Sequence, residues 1–140
     1  MKNDYVRDWM TPNPIVVDED MTLPDVHAMM KEYNVRRLPV VDKHGHLVGI
    51  VAQSDVREAQ PSDATTLSIY ELNYLLAKLK VNKIMTAPVV SISLDNTIAD
   101  AAKMMLEHKI GGLPVIEDGK VVGIITESDI FRLVVKRYSE

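Results

Sequence analysis

The chain has 140 residues, of which 46% are apolar and 26% charged, with a net charge of −4 and no cysteine. This balance fits one compact domain or two fused halves, and excludes a disordered polymer, a disulfide framework and thiol chemistry. No basic block or basic-aromatic stripe is present, so nucleic acid is not an expected partner.

The opening Met1-Lys2-Asn3-Asp4-Tyr5 lacks the apolar core of a signal peptide, and runs such as Val121-Val122-Gly123-Ile124-Ile125 are too short to cross a bilayer. A cytoplasmic protein without membrane contact is expected. Pro14-Ile15-Val16-Val17 reads as a short strand rich in β-branched residues. Thr22-Leu23-Pro24-Asp25 then opens a helix, with Thr22 as cap and Asp25 near the positive helix end. Val26, Met29, Met30 and Tyr33 continue it as one apolar stripe. Two strands follow, Arg37 to Val41 and Leu47 to Val51, joined by Asp42-Lys43-His44-Gly45 as a hairpin turn. A second helix is expected from Ser54.

Gln60-Pro61-Ser62-Asp63 is loop-like, and Ser68-Ile69-Tyr70-Glu71 carries a capping-box pattern. Ile69, Leu72, Leu75, Leu76 and Leu79 then mark an amphipathic connecting helix, whose apolar stripe requires cover from its own chain or from a second subunit. Beyond it the first pattern returns: strand Val89 to Ile92, helix from Thr97, strand Leu113 to Ile116, turn Glu117-Asp118-Gly119, strand Val121 to Ile125, helix from Asp129. The second copy's first helix is expected to bury Ile98, Ala101, Ala102, Met105 and Leu106.

The landmarks recur in register. Met10-Thr11 returns as Met85-Thr86, Met29-Met30 as Met104-Met105, Leu38-Pro39-Val40 as Leu113-Pro114-Val115, Gly49 as Gly123, and Ser54-Asp55 as Ser128-Asp129. A repeat this short cannot bury its apolar face alone and must pack on its copy. The expected fold is therefore α+β (mixed α/β), two pseudo-symmetric β-α-β-β-α repeats packed sheet to sheet. The divisions are residues 1–57 for the first repeat, 58–80 for the connecting helix and 81–140 for the second repeat.

Chemistry concentrates where the last strand of each copy turns into a helix. In Gly123-Ile124-Ile125-Thr126-Glu127-Ser128-Asp129, the glycine admits close approach of another group. Free backbone N–H groups at a helix start favour a phosphate. Asp129 there could accept ribose hydroxyls, while Thr126 or Ser128 could donate to a phosphate. The same residues also suit plain helix capping. Copy one keeps Ser54 and Asp55 but has Ala52 for the threonine. If capping alone mattered, that loss would cost about 1 kcal/mol unless Ser54 became the cap, with Asp55 left in a less useful place. Retention of both acids favours a ligand role. Arg36-Arg37 stand where copy two has Gly111-Gly112, and could clamp a phosphate or pair with nearby acids. His44-x-His46 is better explained as a surface turn than a metal site. No phosphate-loop, nucleophile-elbow or His-Glu-x-x-His motif occurs, so no catalytic or metal residues are assigned and no cofactor is required.

Together these motifs resemble the cystathionine β-synthase (CBS) domain in its tandem form, the Bateman module. The likeness covers residues 6–57 and 81–135. The segment Ser68-Ile69-Tyr70-Glu71-Leu72-Asn73-Tyr74-Leu75-Leu76, with the chain's length, is similar to the acetoin-utilisation type. The resemblance implies a regulatory module, not an enzyme. Its ligands would be adenosine-containing (AMP, ADP, ATP, S-adenosylmethionine or NAD(H)), held in clefts between the repeats. It carries the ribose-binding acid onto Asp129 and Asp55 and its hydroxyl onto Thr126. It further implies Thr11, Ile15, Val16 and Val35 around the base at Asp129, and Thr86, Val89 and Ile110 at Asp55, with Arg36 or Arg37 near phosphates. A homodimer and an unidentified regulated protein are the implied partners. The alternative is a structural dimerisation or protein-interaction module with empty or degenerate clefts.

Overall fold

A computed structural model of the chain describes residues 4–59 and 68–139. Its elements in chain order are α1 (Val6–Trp9), β1 (Thr11–Pro12), β2 (Val17–Asp18), α2 (Leu23–Glu32), β3 (Arg37–Val41), β4 (Leu47–Ala52), α3 (Gln53–Ala59), α4 (Ile69–Lys78), β5 (Ile92–Ser93), α5 (Ile98–His108), β6 (Gly112–Glu117), β7 (Lys120–Thr126) and α6 (Glu127–Tyr138). The protein is mixed α+β, and both expected β-α-β-β-α series are present. The loop expected at Gln60 to Asp63 lies outside the described residues.

Chain order and spatial grouping differ. One compact unit comprises residues 15–89, and the other joins residues 1–14 to 90–140. In the first unit β2 runs parallel to β3, and β3 antiparallel to β4. Val17, Leu23, Val26, Met30, Leu38, Val40, Val51, Val56 and Val81 form its core. In the second, the sheet order is β1-β7-β6-β5, over a core of Val6, Ile92, Ile98, Ala101, Met105, Leu113, Val115 and Ile125. Burying the aliphatic groups of these strands and helices is the main stabilising term in each unit.

The Met-Thr segments account for this grouping. Thr11 pairs with Ile124 and Pro12 with Gly123, so the chain's opening completes the sheet that contains β7. Reciprocally, Thr86 and Ile50 exchange backbone hydrogen bonds of 2.8 and 3.1 Å, tying the second Met-Thr to β4. The close approach expected at the glycines is made by these methionines. A Cβ at Gly49 would overlap Sδ of Met85, and one at Gly123 would overlap Sδ of Met10.

Local chemistry accounts for the turns and caps. Asp118 (φ 52°) and Gly119 (φ 80°) occupy the two centre positions of the β6–β7 hairpin, the left-handed pair such tight turns require. In the β3–β4 turn, Asp42 Oδ1 accepts from the backbone N–H of His44 and His46, at 2.8 and 3.0 Å. Those bonds, His46's foremost, hold the Asp42 carboxyl below its ordinary range. Thr97 and Asp100 form a reciprocal capping box at α5, and Ser68 Oγ accepts from Glu71 N at 3.2 Å to cap α4.

Several expectations are corrected. Thr22 precedes α2 without a side-chain cap, its backbone being held in a bridge to Lys80. The first strand of each copy is only a residue pair, Val17–Asp18 and Ile92–Ser93, because its parallel neighbour pairs it no further. The closing helices begin earlier than expected, at Gln53 and Glu127. Leu106 is 80% exposed, since α5 turns only Ile98, Ala101 and Met105 fully inward. The connecting helix packs Leu76 and Leu79 against the core of the 15–89 unit, while Ile69 and Leu75 stay exposed. No described helix is long and apolar enough to cross a membrane.

Candidate functional site

Both copies build the same corner at the end of their last strand. In the 15–89 unit, Arg37 pairs with Ala52 across β3 and β4, and Gln53 N donates to Arg36 O at 2.7 Å. Asp55 then reaches back, its Oδ2 accepting from Ala52 N at 2.7 Å. In the other unit, Gly112 pairs with Thr126, Glu127 N donates to Gly111 O at 3.1 Å, and Asp129 Oδ2 accepts from Thr126 N at 2.8 Å. The shared bond satisfies a backbone donor that a helix start would otherwise leave open.

This geometry corrects one inference from the sequence. The acid itself caps the turn in both copies and needs no threonine to do so. Capping therefore suffices to explain why Asp55 persists beside Ala52, and Ser54 takes no cap role.

Beyond the shared bond the corners diverge. Asp129 is buried at 2% exposure, the only buried polar or charged side chain among the described residues. Thr126 Oγ1 donates to its Oδ2 at 3.3 Å, and the guanidinium of Arg132 pairs with its Oδ1. Arg132 remains largely in solvent. Asp55 is only half-buried, and among the described residues its Oδ1 receives no donor. Glu58 stands where an arginine would have to be to repeat the Arg132 contact.

The remaining assigned residues distribute over the two units. Thr11 lies with Asp129, as does Ile110, whose N–H donates to Met105 O at 3.1 Å. Thr86, Val89, Ile15, Val16, Val35, Arg36 and Arg37 lie with Asp55. Ser54 and Ser128 are both exposed. Ser128 lines a groove of about 520 Å³ together with Trp9, Phe131, Arg132, Val135 and Lys136.

A second groove, of about 370 Å³, runs beside the Asp55 corner and is lined by His27, Met30, Lys31, Asn34, Val35, Arg36 and Gln53. It holds two fixed cations and a histidine, with no acid in its lining, and so suits an anion. Sequence reasoning found Arg36 but missed His27 and Lys31, whose four-residue spacing on α2 puts them on one face. It also missed Arg132, although three residues from Asp129 on a helix is pairing distance.

The CBS domain model matches residues 6–62 and 81–136. Among solved structures, the CBS domain pair of protein MJ0100, in complex with 5′-methylthioadenosine and S-adenosyl-L-methionine, superposes with a TM-score of 0.80. It is 28% identical and covers 97% of this chain and 99% of that one. CBSX2 in complex with AMP gives 0.77 at 31% identity, covering 96% and 98%. AcuB from Vibrio cholerae gives 0.77 at 32%, covering 99% of both chains. Curated relatives differ in length. The chain spans 32% of one Methanocaldococcus jannaschii protein, 31% identical over 137 residues, and 90% of another, 34% identical over 153.

Proposed function

Because the chain belongs to the CBS domain family and carries two copies of that domain, we propose that it is a regulatory sensor of adenosine-containing ligands. AMP, ADP, ATP or S-adenosylmethionine would bind in clefts between the repeats, and no chemistry would be performed on them. The observation that carries the reading is the repeated corner: a carboxylate held at a strand-to-helix turn beside a Met-Thr segment, once in each unit. That relatives of 28% and 31% identity hold 5′-methylthioadenosine, S-adenosylmethionine and AMP supports it.

In this reading Asp55 Oδ1 takes a ribose hydroxyl, and Arg36, with Lys31 and His27 nearby, takes the phosphate. Thr86, Val89 and Ile110 would surround the base. At Asp129, a ribose hydroxyl must displace Arg132 from Oδ1, and Thr11, Ile15, Val16 and Val35 would meet the base. Signalling follows from any difference in ligand affinity between two conformations of the pair. A cytoplasmic homodimer joined through the apolar face of α6, where Phe131 and Val135 are exposed, would pass the state to a regulated protein.

A second reading, an interaction module with empty clefts, is favoured by the capping role of both acids. Calorimetry with AMP, ADP, ATP and S-adenosylmethionine separates the two. Asp55→Asn and Asp129→Asn keep an oxygen for the backbone N–H but lose the charge and one acceptor. The sensor reading expects saturable binding of at least one ligand, weakened more than tenfold by one of these substitutions with little change in thermal midpoint. A ligand at one hundred times its Kd should also stabilise the fold by about 2.7 kcal/mol. Absence of binding by nucleotide-free protein establishes the interaction module instead.

A further inference from the structure

The connecting helix α4 has no counterpart in either repeat, and its outer face is not that of a solvated helix. Tyr70, Tyr74 and Leu75 are exposed at 83%, 60% and 54%, and with Glu71 they line a groove of about 360 Å³. The opposite face is already used, with Leu76 and Leu79 on the core. Glu71 and Lys78 stand two turns apart and so project from the same side as Tyr74 and Leu75. Lys78 also lies over the Tyr74 ring, 4.1 Å from its centroid.

We infer that α4 is a self-association surface, on which two copies of the chain pair their α4 helices antiparallel about a two-fold axis passing between Tyr74 and Leu75. The charge pattern selects both partner and direction. In that arrangement Glu71 faces the partner's Lys78 and Lys78 faces the partner's Glu71, while the Tyr74 and Leu75 side chains meet at the centre. A parallel pairing would set Glu71 against its own copy and Lys78 likewise, both repulsive. Antiparallel alignment also brings the negative end of each helix dipole beside the positive end of the other. A helix of ten residues is about 15 Å long, so the contact lies at the small end of interfaces and the association is reversible. It is a second contact beside the one proposed on α6, and the two together would link dimers into larger assemblies.

The absence of native cysteine makes the test direct, because one introduced thiol reports only on its own position. Leu75→Cys, treated with a short bismaleimide, should yield a covalent dimer whose amount rises with protein concentration. Adding Glu71→Lys alone or Lys78→Glu alone should reduce that yield at least fivefold, and adding both should restore it, since the facing charges are then exchanged. Circular dichroism of each variant checks the fold, and Val135→Cys reports separately on α6. No cross-link at Leu75, or single charge variants that cross-link as well as the parent, or a double variant that does not recover, would overturn the assignment.

Discussion

At the β4–α3 corner, Asp55 accepts one backbone N–H, and among the described residues its second oxygen receives no donor. At the β7–α6 corner, Asp129 is buried, shared with the Thr126 hydroxyl and closed by Arg132. The backbone frame is the same, down to the bond from the helix's first N–H to the residue just before the strand opposite. Side chains three positions away, Glu58 against Arg132, set whether the acid is available. A repeated motif can thus preserve its architecture while its copies diverge in readiness to bind. In this family reading, Thr126 gives the second corner no advantage, because its hydroxyl, expected to donate to a phosphate, already donates to Asp129.

The difference can be broken most forcefully at the acids. Asp129→Ala removes a buried carboxylate with several donors and should cost about 2 kcal/mol, whereas Asp55→Ala should cost about 1, read from urea denaturation. Equal costs would mean that burial and Arg132 add nothing to the cap. Restoring the missing hydroxyl with Ala52→Thr should stabilise the first corner by about 0.5 kcal/mol in the same assay.

Smaller effects sharpen the comparison. Glu58→Arg should reproduce the Arg132 contact on Asp55 and weaken ligand binding there about threefold, while Arg132→Ala should strengthen binding at Asp129 by a similar factor in calorimetry. Opposite signs would make Arg132 a ligand contact. The smallest effect concerns acid. Asp100 is held below its ordinary value of 3.8, first by the Thr97 backbone N–H and then by Asn96. A depressed folded pKa contributes stability that is present above that value and lost as pH falls below it. Thermal midpoints should therefore fall below about pH 4, and Asp100→Asn should flatten that decline slightly.

Sequence alone determined the repeat, the β-α-β-β-α order within each copy, the two hairpins and the acids at both corners, but not α1 or β1. Each of these follows from local signals: β-branched runs, helical spacing, turn residues, and the recurrence of Leu-Pro-Val and Ser-Asp in register. Tertiary structure decided what depends on contacts distant along the chain. Residues 1–14 fold with 90–140 because Thr11 and Pro12 find their partners on β7, a pairing that no local pattern announces. Among the described residues, Asp129 has donors on both oxygens and Asp55 on one, because burial and one arginine's reach, not the shared motif, set the difference. On α4 the apolar positions were legible, but which of them face the core depended on how the helix docks. Tyr70, Tyr74 and Leu75 stay outside because Leu76 and Leu79 have taken the inward face.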